Sequence, residues 1–264
     1  MHCLRALRQS LSVRDNQGDI LVERSYRQGM CPRDLVAFRV VVGETDLWVA
    51  AQANLYKFTE ERVKFYRRQL RAYMERDAGF AAALTPRPAL PDAPPLVLSM
   101  LEAGRLAVVG PMAAVAGAIA QAVGRDLAEY SSEIILENGG DIYLRSRVQR
   151  IIALHAGQSE FSDRIGIVLP PSPEGIGICT SSGTIGPSLS FGRADAATIV
   201  ADDAALADAA ASALGNLVQQ PRDLEKAVRT CGEIPGVRGA LAVLGSHLAI
   251  SGGITLTPLS ETFD

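Results

Sequence analysis

Cysteine and histidine are scarce in this 264-residue chain: Cys3, Cys31, Cys179 and Cys231, with His2, His155 and His247. No two cysteines stand as a C-x-x-C pair, which argues against both a disulfide scaffold and a Cys/His zinc site. Isolated thiols in a reducing compartment fit the pattern. Aromatic residues make up only 5%, with a lone Trp48, too few for a base-stacking platform. Neither charge sign dominates: 26 basic residues face 29 acidic ones, for a formal net charge of -3. That argues against a general electrostatic nucleic-acid binder and leaves room only for a local basic patch. Long apolar runs are missing as well. The nearest stretch to the ~20 residues of a membrane span is 103–123, and Gly, Pro111 and Arg105 break it. The opening MHCLRALRQSLSVRDNQGD is somewhat basic but holds no apolar run of signal-peptide length, so a cytoplasmic location is expected.

What is present is a core-forming composition, 48% hydrophobic and 21% charged. Residues 20–27 alternate weakly as a first strand. Residues 35–42 and 47–51 are apolar and β-branched, and Gly43-Glu44-Thr45-Asp46 between them has turn chemistry, which predicts a hairpin. A helix follows, with Thr59 as expected N-cap and an apolar stripe of Val63, Tyr66, Leu70, Tyr73 and Met74. Its basic residues read as a solvated face. Five prolines crowd residues 85–95, marking either a domain boundary or a surface excursion within one domain. The excursion is preferred, because the hairpin and helix before it need a partner sheet. Residues 111–123 read as an Ala/Gly-rich helix with Pro111 near its start. Strands are expected at 133–136, 141–144, 151–155, 165–169, 176–179, 196–200, 237–244, 248–250 and 254–257, and helices at 204–217 and 221–231. This order is not steady βαβ alternation. It predicts an α+β chain with a largely antiparallel sheet and helices packed on it, 1–264 forming a single domain of two halves.

Three clusters could carry chemistry. Glu137-Asn138-Gly139-Gly140-Asp141 joins two apolar strands; its glycines permit positive φ, and amides around Asp141 could point outward to a ligand. The same run reads equally as a plain hairpin turn. Thr180-Ser181-Ser182-Gly183 follows a strand and offers N–H and O–H donors suited to phosphate oxygens. It lacks the lysine of a P-loop and the G-x-S-x-G of a nucleophile elbow, and an ordinary loop has the same composition. Asp208 and Ser212 share one face of the 204–217 helix at i, i+4. One carboxylate and one hydroxyl would suit an oxygen-loving cation such as Mg²⁺, though a solvent-facing pair would look the same.

Taken in order, ENGGDIYL, ICTSSG and ATIVADDAALADAAASAL resemble the ApbE-like superfamily, flavin transferases that move FMN from FAD onto target proteins. The matching residues are Gly139, Gly140 and Asp141; Thr180, Ser181 or Ser182, and Gly183; and Ala207, Asp208, Ala209 and Ser212. The passage from Val108-Val109-Gly110 to Ala116-Gly117 is loosely similar to that family's glycine-containing strand-to-helix passage. The resemblance implies an ApbE-like, T-fold-related α+β fold. It also implies a flavin or nucleotide site holding FAD or FMN on Asn138, Gly139, Gly140, Asp141 and 180–183, with Mg²⁺ on Asp208 and Ser212. The sequence departs from the family pattern where an H-x-x-D-P segment is expected: residues 186–195 read GPSLSFGRAD, with no histidine. The resemblance is nearer to a cytoplasmic ApbE-like branch of anaerobic bacteria and archaea linked to sulfide assimilation into homocysteine. Three activities are open at this point: a degenerate flavin and Mg²⁺ site, a non-catalytic accessory protein acting with a partner enzyme, or an active FMN transferase. The expected ligand is a small nucleotide-like molecule, with no nucleic acid and no membrane, and a homo-oligomer is compatible with the sequence.

Overall fold

The computed structural model describes residues 3–4, 12–14, 20–22, 27, 32, 34–183 and 191–259. Strands β1 (Cys3–Leu4), β2 (Ser12–Arg14) and β3 (Ile20–Val22) come first; β3 is the part of the expected 20–27 strand that is described as strand. The expected hairpin follows as β4 (Val36–Val42) and β5 (Thr45–Ala51). Helix α1 (Tyr56–Arg76) starts earlier than expected. Thr59 is not its cap: it is buried inside the helix and donates its hydroxyl to the Leu55 carbonyl at 2.9 Å. Asn54 Oδ1 instead accepts from the Tyr56 N–H at 3.0 Å. The proline-rich stretch ends directly in a helix the sequence reading missed, α2 (Pro95–Ala107), with Pro95 in the first turn where no N–H is needed. Residues Pro111–Ala114 form a 3-10 turn, and α3 (Val115–Leu127) continues from it, so the expected 111–123 helix is two pieces.

Then come β6 (Ile134–Asn138), β7 (Asp141–Ser146), β8 (Arg150–Ala153), β9 (Ile165–Leu169), β10 (Ser172–Ser181), β11 (Ala196–Ala201), α4 (Ala204–Leu217), α5 (Leu224–Gly232), β12 (Val237–Leu244), β13 (His247–Gly252) and β14 (Thr255–Pro258). Asp203 caps α4, accepting from the Leu206 N–H at 3.0 Å.

Eight strands form one antiparallel sheet in the order β13-β12-β11-β10-β7-β6-β5-β4. Alternation sorts its side chains onto two faces. Leu47, Val49, Ile134, Leu136, Ile199 and Ala240 pack against the helices. Trp48, Ile135, Ile142, Leu144, Ile178 and Val200 pack the other way, against Ile152, Ile167 and Leu169 of a second sheet, β1-β8-β9-β14. Strand segments buried on both faces favour apolar residues, as in Leu47–Ala51 of β5 and Ile134–Leu136 of β6; the polar residues of these strands, Thr45, Asp46, Glu137 and Asn138, gather at the end that carries the β6–β7 turn. The two sheets are also tied by charge. Arg150 on β8 is 1% exposed and reaches Asp34 at 2.7 Å and Glu133 at 3.0 Å. Among the described residues no single helix is long and apolar enough to cross a membrane.

Candidate functional site

Strands β6 and β7 meet in a two-residue turn. Asn138 pairs with Asp141, and Gly139 and Gly140 lie at φ 73° and 102°. Left-handed backbone at both central positions is what a glycine pair supplies without steric cost. The Gly140 N–H does not point outward, as the sequence reading had it. It donates to Glu137 Oε1 at 2.7 Å, inside the molecule.

Cross-strand pairing then builds a row. Asn138 pairs with Asp141, Asp141 with Cys179, Cys179 with Ile199, and Ile199 with Ala240. Paired residues share a face, and Ile199 and Ala240 belong to the helix-side core. Asn138, Asp141 and Cys179 therefore face the helices side by side. Asn138 confirms it by donating Nδ2 to the Ala116 carbonyl at 3.1 Å, at the start of α3.

Thr180 is one residue on and points to the opposite face, where its hydroxyl meets that of Thr198 at 2.9 Å. The structure thus removes the Thr180 hydroxyl from the cluster. Ser181 returns to the helix side: its Oγ would stand 3.5 Å from a Cβ placed on Gly215 of α4. Ser182 is half-buried, and Gly183 is exposed with its N–H bound to the Ala194 carbonyl at 2.9 Å.

Helix α4 completes the arrangement. Asp208, Ser212 and Gly215 follow at i, i+4 and i+7 on one face. Asp208 is half-buried and accepts at Oδ2 from the Gly117 N–H at 2.9 Å; the Ala116 N–H also bonds to this carboxylate. Burial pushes the Asp208 carboxyl up to about 7, against the pull of those two amides. Cys179 is fully buried and its thiol contacts the Ala204 carbonyl at 3.4 Å. Burial first, then the nearby Asp141 and Asp208 carboxylates, raise that thiol well above its ordinary range. It is a filler between two acids rather than a nucleophile.

The structure brings together Asn138, Asp141, Asp208 and the Ala116 and Gly117 amides, with Ser212 and Ser181 further along α4. Sequence reading missed Cys179, and it took Glu137 only as a member of the turn run, with no role of its own. Cys179 was detectable, since it stands two residues before Ser181 on a strand and so shares its face. The residues replacing the H-x-x-D-P segment lie partly outside the described set. Asp195, within it, accepts at Oδ2 from the Gly245 N–H at 2.7 Å, binding the β12–β13 turn. His155 sits beside Asp163 at 3.3 Å, following Leu154 of the core behind the large sheet, and His247 opens β13.

Comparison with known proteins agrees with this architecture. A family described as AbpE bacteria matches residues 27–232. A UPF0280 protein of Methanocella arvoryzae is 39% identical over 212 residues, covering 80% of this chain and 86% of the relative. One from Methanocaldococcus jannaschii is 38% identical over 223 residues, covering 82% and 90%. Among solved structures, the apo flavinyl transferase ApbE of Pseudomonas stutzeri superposes with a TM-score of 0.51 at 13% identity, over 82% of this chain and 93% of that one. The flavin transferase ApbE of Vibrio cholerae gives 0.53 at 12% identity, over 86% and 97%. These structural likenesses establish the fold, an α+β arrangement of antiparallel sheet and helices. Together with the family match, they place the chain in the AbpE family of ApbE-like proteins.

Proposed function

We propose that the protein binds a flavin nucleotide, FAD or FMN, together with Mg²⁺, where the β6–β7 turn, the end of β10 and helix α4 meet. The observation that carries this reading is the row Asn138–Asp141–Cys179 set against the Asp208 carboxylate, itself held by the Ala116 and Gly117 amides. The donor chemistry fits the cation. Asp208, Asp141 and Ser212 offer only oxygen, as a hard ion requires. Among the described residues no three His, Cys, Asp or Glu side chains converge to hold a metal by themselves. Mg²⁺ is commonly bound by one or two carboxylates and completed by ligand phosphates. Ser181, Ser182 and Gly183 would lie towards the pyrophosphate, along with the Asn138–Asp141 turn. When bound, Mg²⁺ would neutralise phosphate charge. The chain's own part is to bind and orient. Asp195, the candidate base in the stretch that replaces the H-x-x-D-P segment, accepts the Gly245 N–H on one oxygen at 2.7 Å.

Titration calorimetry of FAD with and without Mg²⁺ tests this on the wild-type chain and on Asp208→Ala. Mg²⁺-dependent binding should appear in the wild type and vanish in the variant, with unchanged circular dichroism. Equal affinity in both would overturn the assignment of Asp208. A wild-type chain that takes no FAD would instead leave an accessory role beside a partner enzyme of sulfur-amino-acid synthesis.

A further inference from the structure

From the geometry behind the turn we infer that Glu137 is a positioning residue for this site, shaping the Gly139–Gly140 turn from the face of the sheet turned away from the ligand. The inference rests on the flavin and Mg²⁺ reading above. Glu137 is fully buried and pairs across the sheet with Trp48 and Ile142, both in the core behind the sheet. Its two oxygens do different things. Oε1 accepts the Gly140 N–H at 2.7 Å, and Oε2 accepts Arg27 Nε at 2.5 Å. Arg27 carries on to Asp46, donating to its Oδ1 and to its carbonyl, each at 2.7 Å. Arg39 holds the same Asp46 carboxylate at 2.8 and 3.0 Å.

Stability alone gives a weak reason for such a chain. A buried ion pair is commonly matched or bettered by an apolar pair of similar volume. An apolar pair cannot accept the Gly140 N–H, however. The charge-assisted bond to that amide fixes the direction of a peptide at φ 102°, a region open mainly to glycine. Asp141 is the next residue, and its placement beside Cys179 follows from how the turn delivers it. Two consecutive residues thus hold the turn from both faces: Asn138 through the Ala116 carbonyl, Glu137 through the Gly140 amide. Arg27 orients the Glu137 carboxylate by holding its second oxygen, Oε2.

Two double variants separate positioning from folding. Arg27→Met with Glu137→Gln removes the ion pair but keeps a carbonyl oxygen for the Gly140 N–H. Arg27→Met with Glu137→Leu removes both. Arg39 remains with Asp46 in each case. The probes are FAD and Mg²⁺ by calorimetry, with hydrogen-exchange mass spectrometry of the peptide covering the turn. Both variants should melt within a few degrees of each other. The glutamine variant should keep FAD and Mg²⁺ affinity within about threefold, and the leucine variant should lose tenfold or more. Exchange at the turn should be at least tenfold faster in the leucine variant only. Wild-type binding that survives in the leucine variant would overturn the positioning role alone. A wild-type chain that binds neither FAD nor Mg²⁺ would overturn the site reading and the role together.

Discussion

The Gly117 N–H donates to Asp208 Oδ2 at 2.9 Å, joining the first turn of α3 to the middle of α4 across 91 residues of chain. Amides at a helix N-terminus favour a negative charge. Burial disfavours it, and here burial wins, since the carboxyl is pushed up to about 7. A cation at this carboxylate would add to the pull of the two amides and oppose the burial.

This has a measurable sign. Asp208 titrates higher folded than its ordinary 3.8, so the folded state binds the proton more tightly. The stabilisation is full below about pH 4 and is lost as pH rises through about 7. In metal-free buffer the melting temperature should fall between pH 5 and pH 8. Asp208→Asn should flatten that slope and melt higher than the wild type at pH 8. Differential scanning calorimetry across this range checks it; parallel slopes in the two proteins would contradict the burial argument.

Gly140→Val should destabilise the fold by about 1–3 kcal/mol, the cost of a β-branched side chain in a left-handed region. Its new Cβ would also stand 3.4 Å from the Thr180 carbonyl oxygen. Urea unfolding, followed by the midpoint at constant slope, gives the number. A shift under about 0.5 kcal/mol would mean that the turn rearranges freely.

Ser181 and Thr180 are neighbours with opposite expected phenotypes. Ser181→Ala should weaken Mg²⁺-dependent FAD binding by about threefold to tenfold, with little loss of stability. Thr180→Val should do the reverse, costing about 1 kcal/mol by stranding the buried Thr198 hydroxyl and sparing affinity. Calorimetry and denaturation on both variants decide it. Equal effects on binding would refute the face assignment.

Incubation with FAD, Mg²⁺ and a threonine-bearing acceptor domain should yield no FMN transfer. A neutral hydroxyl is a poor nucleophile without an activating base. Asp195, the nearest candidate by sequence, spends its Oδ2 on the Gly245 amide, and neither described histidine belongs to the α4 cluster. Mass spectrometry of the acceptor reads the outcome, and a stoichiometric gain of one FMN mass would reinstate an active transferase.

Local signals carried much of this architecture. The β4–β5 hairpin, the glycine turn, β9, β12 and α4 were legible, because turn chemistry, alternation and helical periodicity act over a few residues. Helix α2 was not, because Pro94 and Pro95 read as the end of a loop although a proline opens a helix as readily. The second sheet was not legible either. Its strands β8, β9 and β14 were visible one by one, but β14 pairs with a strand about ninety residues earlier, and no local pattern encodes that. Within the site, composition picked out Thr180 and Ser181 together. Only the cross-strand register, fixed by long-range pairing, sends one hydroxyl forward and the other back.

Ala204, the first residue of α4, sits wedged between α3 and β10. A Cβ on Gly117 would collide with its carbonyl oxygen, and one on Gly177 with its Cα. Positions 117 and 177 are consequently confined to glycine, because each Cβ would strike backbone of Ala204 that no side-chain change at 204 can withdraw. A library randomising 117 and 177 should return almost nothing but glycine, while the solvent-facing positions of α4 drift freely. The wedge also makes α3, β10 and α4 one mechanical block. The spacing between α4 and the Asn138–Asp141–Cys179 row is then set by backbone contacts rather than by the side chains along it.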